Sequence, residues 1–598
     1  MNLKRVLLIG FIALFIFPLF GESYWVFLED KGFSRGSSAE NRALRAAKQR
    51  LSPRSIDRRE RAMPEGEVVA FEDIDLSRDY VDAIAEMARI RIESRLLNAV
   101  SVEADAPTID AISKLPFVRN IKPVAKFQRE RPYISPFETP SIGDYGSSYS
   151  QNSMLNSPLA HRLGISGDGV LICMTDTGFK LDHLSLDSSE VLGKYDFIDD
   201  DTIVSFEPGD PDLSESHGTM TWSIIGGYYP GQLIGVASGA SFLLARTEHY
   251  TMEDPIEEDY WIAASEWADS AGADIISTSL GYSDWYTPDS MTGDIAPISI
   301  AADLISARGI CCVICSGNHG SGGATSITVP GDADSVITVG AVNFEGNRLS
   351  FSGQGPTADG RIKPDVCALG TGVKAASDRG VSDFRTSSGT SASTPLVAGL
   401  AALLLEIRPG LLPMDVREAL IKTSSNNESP NNQIGWGIPD IMAAISYPAA
   451  GRCVIPLFTG WNLVSIPLAD TINIDDAFPG RLGEVWFWDH VAGSYIDVSV
   501  VEPGKGYFVM FNHDTLIVID GEPLLSIDIP TTPGWQAIGG VARTNSFASV
   551  VDSSSARIID GFYLYEPNLR DYQSLNNIPP GRGAFILVTG AGEIRLSK

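Results

Sequence analysis

The sequence predicts an α/β protein: a parallel sheet with helices on both faces, preceded by a small α+β unit and followed by an all-β region with an internal repeat. Three observations predict it. Between residues 151 and 447, continuous apolar runs alternate with helix-period segments, as in strands buried on both faces and joined by crossover helices. The length of 598 residues exceeds one ordinary domain and leaves room for flanking units. Beyond residue 450 helical periodicity fades into short aromatic strands.

Composition narrows the function classes. The chain is 44% hydrophobic and 20% charged, which excludes wholesale disorder and fibrous repeats. A net charge of −30 argues against nucleic acid as a partner. The charge is uneven: residues 24–131 carry 20 basic and 18 acidic residues, residues 132–598 carry 23 and 56. Such a surface favours solubility and repels anionic polymers.

The elements follow in order. Residues 1–23 read as a secretory signal. Lys4 and Arg5 form the basic start, Val6–Phe20 is a 15-residue apolar run, and Gly21-Glu22-Ser23 offers a cleavage site. The alternative, a retained anchor, suits the run poorly because spanning a bilayer takes about 20 residues. The expectation is a secreted, extracellular protein, or a cell-surface or periplasmic one, with no stable membrane span after signal cleavage. Residues 24–140 follow with strands at Tyr24–Leu28, Ala99–Val102 and Phe117–Val124. Helices are expected at Ala39–Leu51, Tyr80–Ala88 and Pro107–Leu115. Pro132–Ser150, rich in Pro, Gly, Ser and Tyr, reads as a linker.

Residues 141–447 hold the candidate parallel strands Val170–Met174, Phe242–Ala245, Ile275–Ser279, Cys311–Cys315 and Val336–Val342. Trp261–Ala271 and Ile298–Ala307 are helix candidates among them. In such sheets ligands bind beyond the carboxyl ends of the strands, so chemistry is sought just after each strand. In residues 451–598, Gly460-Trp461-Asn462-Leu463-Val464 is echoed by Gly534-Trp535-Gln536-Ala537-Ile538, and Pro503–Phe508 by Pro580–Phe585. Offsets of 74 and 77 give two similar β units, about 456–525 and 530–598. Gly504-Lys505-Gly506 lacks the longer loop-to-helix pattern of a phosphate loop and reads as a turn. The six cysteines fit neither a dense disulfide framework nor a zinc site, and buried packing is their expected role; export would permit a disulfide.

Four segments carry chemistry. Val170–Met174 ends in Thr175-Asp176-Thr177-Gly178, and an aspartate at a buried strand end must be hydrogen-bonded; a turn aspartate is the alternative. Ser216-His217-Gly218-Thr219-Met220 opens an apolar helix, where a histidine flanked by glycine can project into a cleft or simply cap the helix. Ser387–Pro395 leads into the apolar helix Leu396–Leu405 and sets Ser391 at a helix N-terminus, where free N–H groups favour developing negative charge. Gly389-Thr390-Ser391-Ala392-Ser393 departs from the Gly-x-Ser-x-Gly elbow of α/β-hydrolases. Ser316-Gly317-Asn318-His319-Gly320 follows strand Cys311–Cys315, and the Asn318 amide there could donate to an oxyanion or merely accept a turn conformation.

Together these blocks, in the order Asp, His, Asn, Ser, resemble the subtilisin-like serine proteases; that order of triad residues is the one known for subtilisin. The resemblance covers roughly residues 155–447. It is carried also by Ile276-Ser277-Thr278-Ser279-Leu280-Gly281, Val329-Pro330-Gly331, Val336-Ile337-Thr338-Val339-Gly340 and Phe351–Pro356. It implies a subtilisin-like fold and a serine endopeptidase acting on protein or peptide substrates without an organic cofactor. By the same resemblance, Ser391 is the nucleophile, His217 the general base and acid, and Asp176 the group that orients His217. Asn318 and the Ser391 N–H form the oxyanion hole, whose side-chain donor is worth on the order of 3 kcal/mol in subtilisin. Ser279-Leu280-Gly281 corresponds to one wall of the P1 pocket, and Ser316-Gly317 to the other.

Two departures stand out. Ala392 follows the nucleophile where many relatives carry Met, which removes an oxidisable side chain. Thr328 falls where relatives often have glycine at the pocket floor, and would disfavour large aromatic P1 residues. Residues 24–140 occupy the place of the family's inhibitory propeptide, a template for a slowly folding parallel sheet, with the cut expected between Pro132 and Ser153. The loop Asp196–Asp212 holds seven carboxylates. Structural calcium is the cation the family suggests for it, and a solvated acidic loop the alternative; no metal-binding residue is assigned. A non-catalytic binding protein on the same scaffold is disfavoured, because all four active-site residues remain. The C-terminal domain is expected either to bind a surface or substrate or to act as a stability or secretion appendage. Exposed tryptophans among Trp461, Trp486, Trp488 and Trp535 would favour binding.

Overall fold

The computed structural model describes residues 22–64, 66–124, 143–251, 253–567 and 569–597; nearly all of the expected signal, and the linker from Pro132 to residue 142, lie outside them. The chain divides into two units, residues 1–43 with 72–125, and residues 44–71 with 126–598. The N-terminal elements, in chain order, are β1 (Glu22–Leu28), α1 (Ser38–Gln49), α2 (Pro53–Ala62), α3 (Arg78–Ala85), β2 (Arg89–Ser94), β3 (Ala99–Ala104), α4 (Ala106–Ile112) and β4 (Val118–Val124).

In the first unit the four strands form an antiparallel sheet in the order β2-β3-β1-β4. Strand period two puts Tyr24, Val26 and Leu28 on one face, where they meet Val100 and Val102 and the helical residues Val81, Ile84 and Ile112. This is the α+β architecture that the sequence predicts.

The second unit holds a seven-stranded, all-parallel sheet. Its strands are β5 (Leu171–Asp176), β6 (Glu190–Asp196), β7 (Ser241–Arg246), β8 (Ile275–Thr278), β9 (Cys311–Cys315), β10 (Ile337–Val342) and β11 (Val366–Leu369). Their order is β11-β10-β9-β8-β5-β7-β6. The longer helices are α5 (Ser216–Gly226), α6 (Ile256–Ala271), α7 (Pro297–Ser306), α8 (Thr390–Ile407) and α9 (Pro413–Thr423). The order reverses beside β5, whose neighbours β7 and β8 lead to opposite edges. A crevice opens at such a switch point, beyond the strand ends. Edge strands β6 and β11 are absent from the sequence reading. β6 is only half-buried and β11 spans four residues, so neither gives a long apolar run. Helix α8 runs through the core against α5 and the central strands, which is why it is apolar all round. Five of the six cysteines lie in strands of this sheet, four in the central β5 and β9 and Cys367 in the edge strand β11, and all six are free and buried.

Just before β11, the fully buried Asp365 is paired with Lys363 Nζ at 2.8 Å and with Arg417 Nε at 3.0 Å. Burial alone would raise the carboxyl, but Arg417 and Lys363 hold it down at about 2. An aspartate depressed below its unfolded value near 4 stabilises the fold above that value and loses the contribution as pH falls toward 2. Arg417→Ala is therefore expected to cost about 3–5 kcal/mol at neutral pH. The gap from wild type in chemical denaturation should shrink below pH ~4; a pH-independent gap would remove Asp365 as its source.

Residues 451–598 form two sets of strands with the same connectivity. Gly460–Val464, Tyr507–Phe511, Val485–Asp489 and Ser494–Val498 make one four-stranded antiparallel sheet. Gly534–Gly539, Gly583–Gly590, Arg557–Glu566 and Asp571–Leu575 make its counterpart. Each has its own core, and a third aromatic cluster around Leu463, Ala537 and Phe585 joins the facing sheets.

Candidate active site

Each candidate residue stands at a strand end or helix start. Asp176 is the last residue of β5 and is fully buried. Three donors satisfy it: Thr177 N–H at 2.8 Å and His217 Nδ1 at 2.7 Å on Oδ1, and Thr221 Oγ1 at 2.8 Å on Oδ2. Ionised Asp176 accepts from all three, and the Oδ1 contact places the His217 proton on Nδ1, leaving Nε2 free to take another. His217 is in the first turn of α5, and Thr221 lies one turn on, on the same helix face. Gly218 is required between them: a Cβ there would lie 2.2 Å from Gly178 O.

Ser391 is in the first turn of α8, 8% exposed. The preceding Gly389 adopts φ 139°, and a Cβ on it would lie 3.0 Å from Ser391 Oγ, so glycine both makes the turn and clears the hydroxyl. Ser279 Oγ donates to Ser391 O at 3.1 Å, tying the end of β8 to the helix start. Ser391 Oγ makes no hydrogen bond to His217 among the described residues; such contacts tighten when substrate binds. Asn318 is exposed beyond β9, and its Oδ1 accepts from Thr390 N at 3.0 Å and Thr390 Oγ1 at 3.1 Å. Those two donors fix the amide orientation, so Nδ2 is the side left free, beside the N-terminus of α8. A nucleophile, a base with an oriented ring, a buried carboxylate and a free amide donor are the parts that acyl transfer needs.

The two candidate walls are joined from below. Leu280 O accepts the Cys315 thiol at 3.3 Å. Thr328 N donates to Ser316 O at 3.3 Å, and Val329 exchanges both backbone hydrogen bonds with Tyr282. The Thr328 side chain is wedged between the glycines of the two walls: a Cβ on Gly281 would lie 2.3 Å from its Oγ1, and one on Gly317 2.5 Å from its Cγ2. The sequence reading singled out Asp176, His217, Asn318, Ser391 and the wall residues. It missed Thr221 and Thr390, which hold two of them in place. Their signal was weak: one turn after a histidine, one residue before a serine.

The acidic loop does not fit a calcium ion. Asp196 and Asp210 pair with Arg246 at 2.9 Å each, so the guanidinium already supplies the positive charge. Among the described residues no group of three or more His, Cys, Asp or Glu side chains is placed to hold a metal.

A sequence model described as the Subtilase family matches residues 167–437, and one described as the peptidase S8 propeptide domain of Bacteroidota matches residues 23–134. Subtilisin of Bacillus pumilus is 30% identical over 294 residues, 49% of this chain and 96% of that protein. Serine protease AprX of Bacillus subtilis (strain 168) is 32% identical over 294 residues; the match spans 45% of this chain and only 64% of AprX. Subtilisin E of the same strain is 28% identical over 347 residues, 58% of this chain and 80% of its own length.

Proposed function

The chain belongs to the subtilase family, and on that premise we propose that it hydrolyses internal peptide bonds of proteins through an acyl-enzyme. Ser391 attacks the scissile carbonyl as His217 Nε2 takes its proton, and Asp176 stabilises the imidazolium that forms. His217 then protonates the leaving amine, and water repeats the sequence to release the acid. Asn318 Nδ2 and the Ser391 N–H receive the negative charge that develops on the carbonyl oxygen. The observation that carries this reading is the 2.7 Å contact between buried Asp176, at the end of β5, and His217, in the first turn of α5. Labelling with a fluorophosphonate probe tests it: the adduct belongs on the peptide containing Ser391, and a chain left unlabelled, or labelled elsewhere, sinks the assignment.

Residues 24–140 are proposed to be an inhibitory propeptide, removed by a cut between Pro132 and Ser153. Export is proposed from the basic-then-apolar start. Among the described residues only Thr390–Ile407 is long and apolar enough to cross a membrane, and it is 89% buried as a core helix.

Thr328 is proposed to set a small P1 preference. Thr328→Gly is expected to raise kcat/KM for Phe or Tyr at P1, relative to Ala, by roughly 10-fold or more, the scale of a few added methylenes of pocket. Peptide p-nitroanilides differing only at P1 measure it, and an unchanged ratio would place the floor elsewhere.

A second reading concerns residues 451–598, for which we infer a substrate- or surface-binding role. Trp461 and Trp535 are 39% and 40% exposed. A cavity of about 410 Å³ is lined by Trp461, Trp486, Tyr495, Phe508 and Tyr565. At the corresponding place in the second repeat, the Trp535 and Tyr563 rings touch edge-on at 5.2 Å. Retention of inactive Ser391→Ala protein on particulate protein, reduced by Trp461→Ala, is the outcome this reading requires.

A further inference from the structure

Helix α2 buries arginine where helices ordinarily bury leucine. Ser52 caps it through Ser55 N at 3.0 Å, while its own backbone N–H donates to Ser270 O at 3.1 Å and its hydroxyl to Ala271 O at 3.0 Å. Arg54 donates to Gly272 O at 2.9 Å and Gly169 O at 2.7 Å, and pairs with Asp274. Arg58 donates to Ala273 O at 2.5 Å and Arg308 O at 3.1 Å, and pairs with one oxygen of Asp269. Arg59 pairs with the other Asp269 oxygen and donates to Val68 O at 3.0 Å. Arg58, Arg59 and Asp269 are 4%, 1% and 4% exposed.

The acceptors are not scattered. Ser270 to Ala273 are the carbonyls that end α6, and Arg308 O lies just past the end of α7. Helix C-termini carry unsatisfied carbonyls and partial negative charge, so guanidinium groups suit them. Asp269 and Asp274 add formal charge, and Asp269 receives two arginines at once. Gly272 and Gly309 let the helix come close: a Cβ on Gly272 would lie 2.8 Å from Arg54 Cβ, and one on Gly309 2.9 Å from Ala62 Cβ. This surface lies at the amino ends of the strands, since Gly169 precedes β5 and Asp274 precedes β8. Asp176, Ser279 and Ser316 lie at or just beyond the carboxyl ends, one strand length or about 20 Å away.

We propose that the paired C-termini of α6 and α7, with Asp269 and Asp274, form a docking site for a paired-arginine helix. In this chain α2 occupies it and holds the propeptide on the protease domain independently of the cleft. The inference rests on the reading of residues 24–140 as a removable propeptide. Cutting between Pro132 and Ser153 leaves these contacts intact, so departure of the propeptide requires the arginine pairs to break. Being buried, the pairs are only weakly screened by salt. Once vacated, the site offers two carboxylates and several carbonyls to any other helix of the same charge pattern.

The test needs no catalysis, so its failure is separate from failure of the protease reading. Full-length Ser391→Ala protein receives a recognition sequence for an unrelated specific protease within residues 126–140, is cut, and is followed by size exclusion and dissociation rate. With the native arginines the N-terminal fragment should co-elute with the remainder, at 0.1 M and 0.5 M salt alike. Arg58→Gln with Arg59→Gln should release it roughly 100-fold faster or more, as when a buried hydrogen-bonded charge pair loses a partner. Arg54→Gln, at a half-exposed position that does not threaten folding, should release it about 10-fold faster, which keeps the test decisive if the double variant does not fold. Retention equal to wild type, by Arg54→Gln or by a folded double variant, would overturn the proposal.

Discussion

Ser391→Ala protein is expected to remain at full length and to hydrolyse casein at background rate. The loss in kcat should approach the roughly 10⁶-fold known for the nucleophile of subtilisin. Wild type, expressed from Tyr24 onward, should lose about 110–130 N-terminal residues, counted from the Pro132–Ser153 segment, by the self-cleavage that the family's propeptide logic requires. The substitution removes one hydroxyl at the N-terminus of α8. Ser279 Oγ holds the Ser391 carbonyl, and Asn318 is held through Thr390, so neither contact uses the deleted atom. Loss of activity with an unchanged melting curve would therefore report chemistry rather than folding. Intact mass and casein hydrolysis on the two proteins decide it. An alanine variant that still matures unaided would move the nucleophile elsewhere.

Asp176→Asn is expected to lower kcat by roughly 10³–10⁴-fold, approaching what loss of the triad aspartate costs in subtilisin, with little change in KM. The three donors on Asp176 say how. Thr177 N–H must keep an oxygen at the Oδ1 position, and His217 Nδ1 shares that oxygen. The new amide nitrogen then falls at the Oδ2 position, beside Thr221 Oγ1, whose hydroxyl can turn to Gly218 O at 3.1 Å. His217 thus keeps its tautomer, and the loss is the negative charge that stabilises the imidazolium. Asp176→Ala, which also strands the buried donors, should cost more in both activity and stability. Kinetics of the two variants alongside their melting curves measure this, and a loss below about 10-fold for Asp176→Asn would mean that the carboxylate does not support His217.

The motif-bearing residues were legible because local chemistry places them. A strand ending in an aspartate, a histidine and a serine each opening a helix, and an asparagine after β9 are features that neighbours along the chain create. The parallel architecture was legible for the same reason, since strands buried on both faces are written as unbroken apolar runs. The repeat in residues 451–598 was legible as direct self-similarity.

Other features depended on residues far apart in the chain. Thr221 and Thr390 are ordinary threonines until the fold sets Asp176 and Asn318 beside them. The carboxylates of 196–212 read as either a cation loop or a solvated acidic loop until Arg246, from β7, meets two of them. Thr328 became a wedge only when Gly281 and Gly317 closed on it from either side. Helix α2 is the plainest case. Its sequence, Pro53–Ala62, holds four arginines and one isoleucine, so no apolar period announces a buried face, although Ser52 and Pro53 mark its start. Arginine is buried only where an acceptor waits, and besides Val68 O the acceptors here include Asp269 and the carbonyls of Ala273 and Arg308, more than 200 residues further along. Periodicity and strand-end chemistry are short-range properties that the sequence determines alone. The burial of a charge depends on its partner, and only the tertiary structure brings the partner.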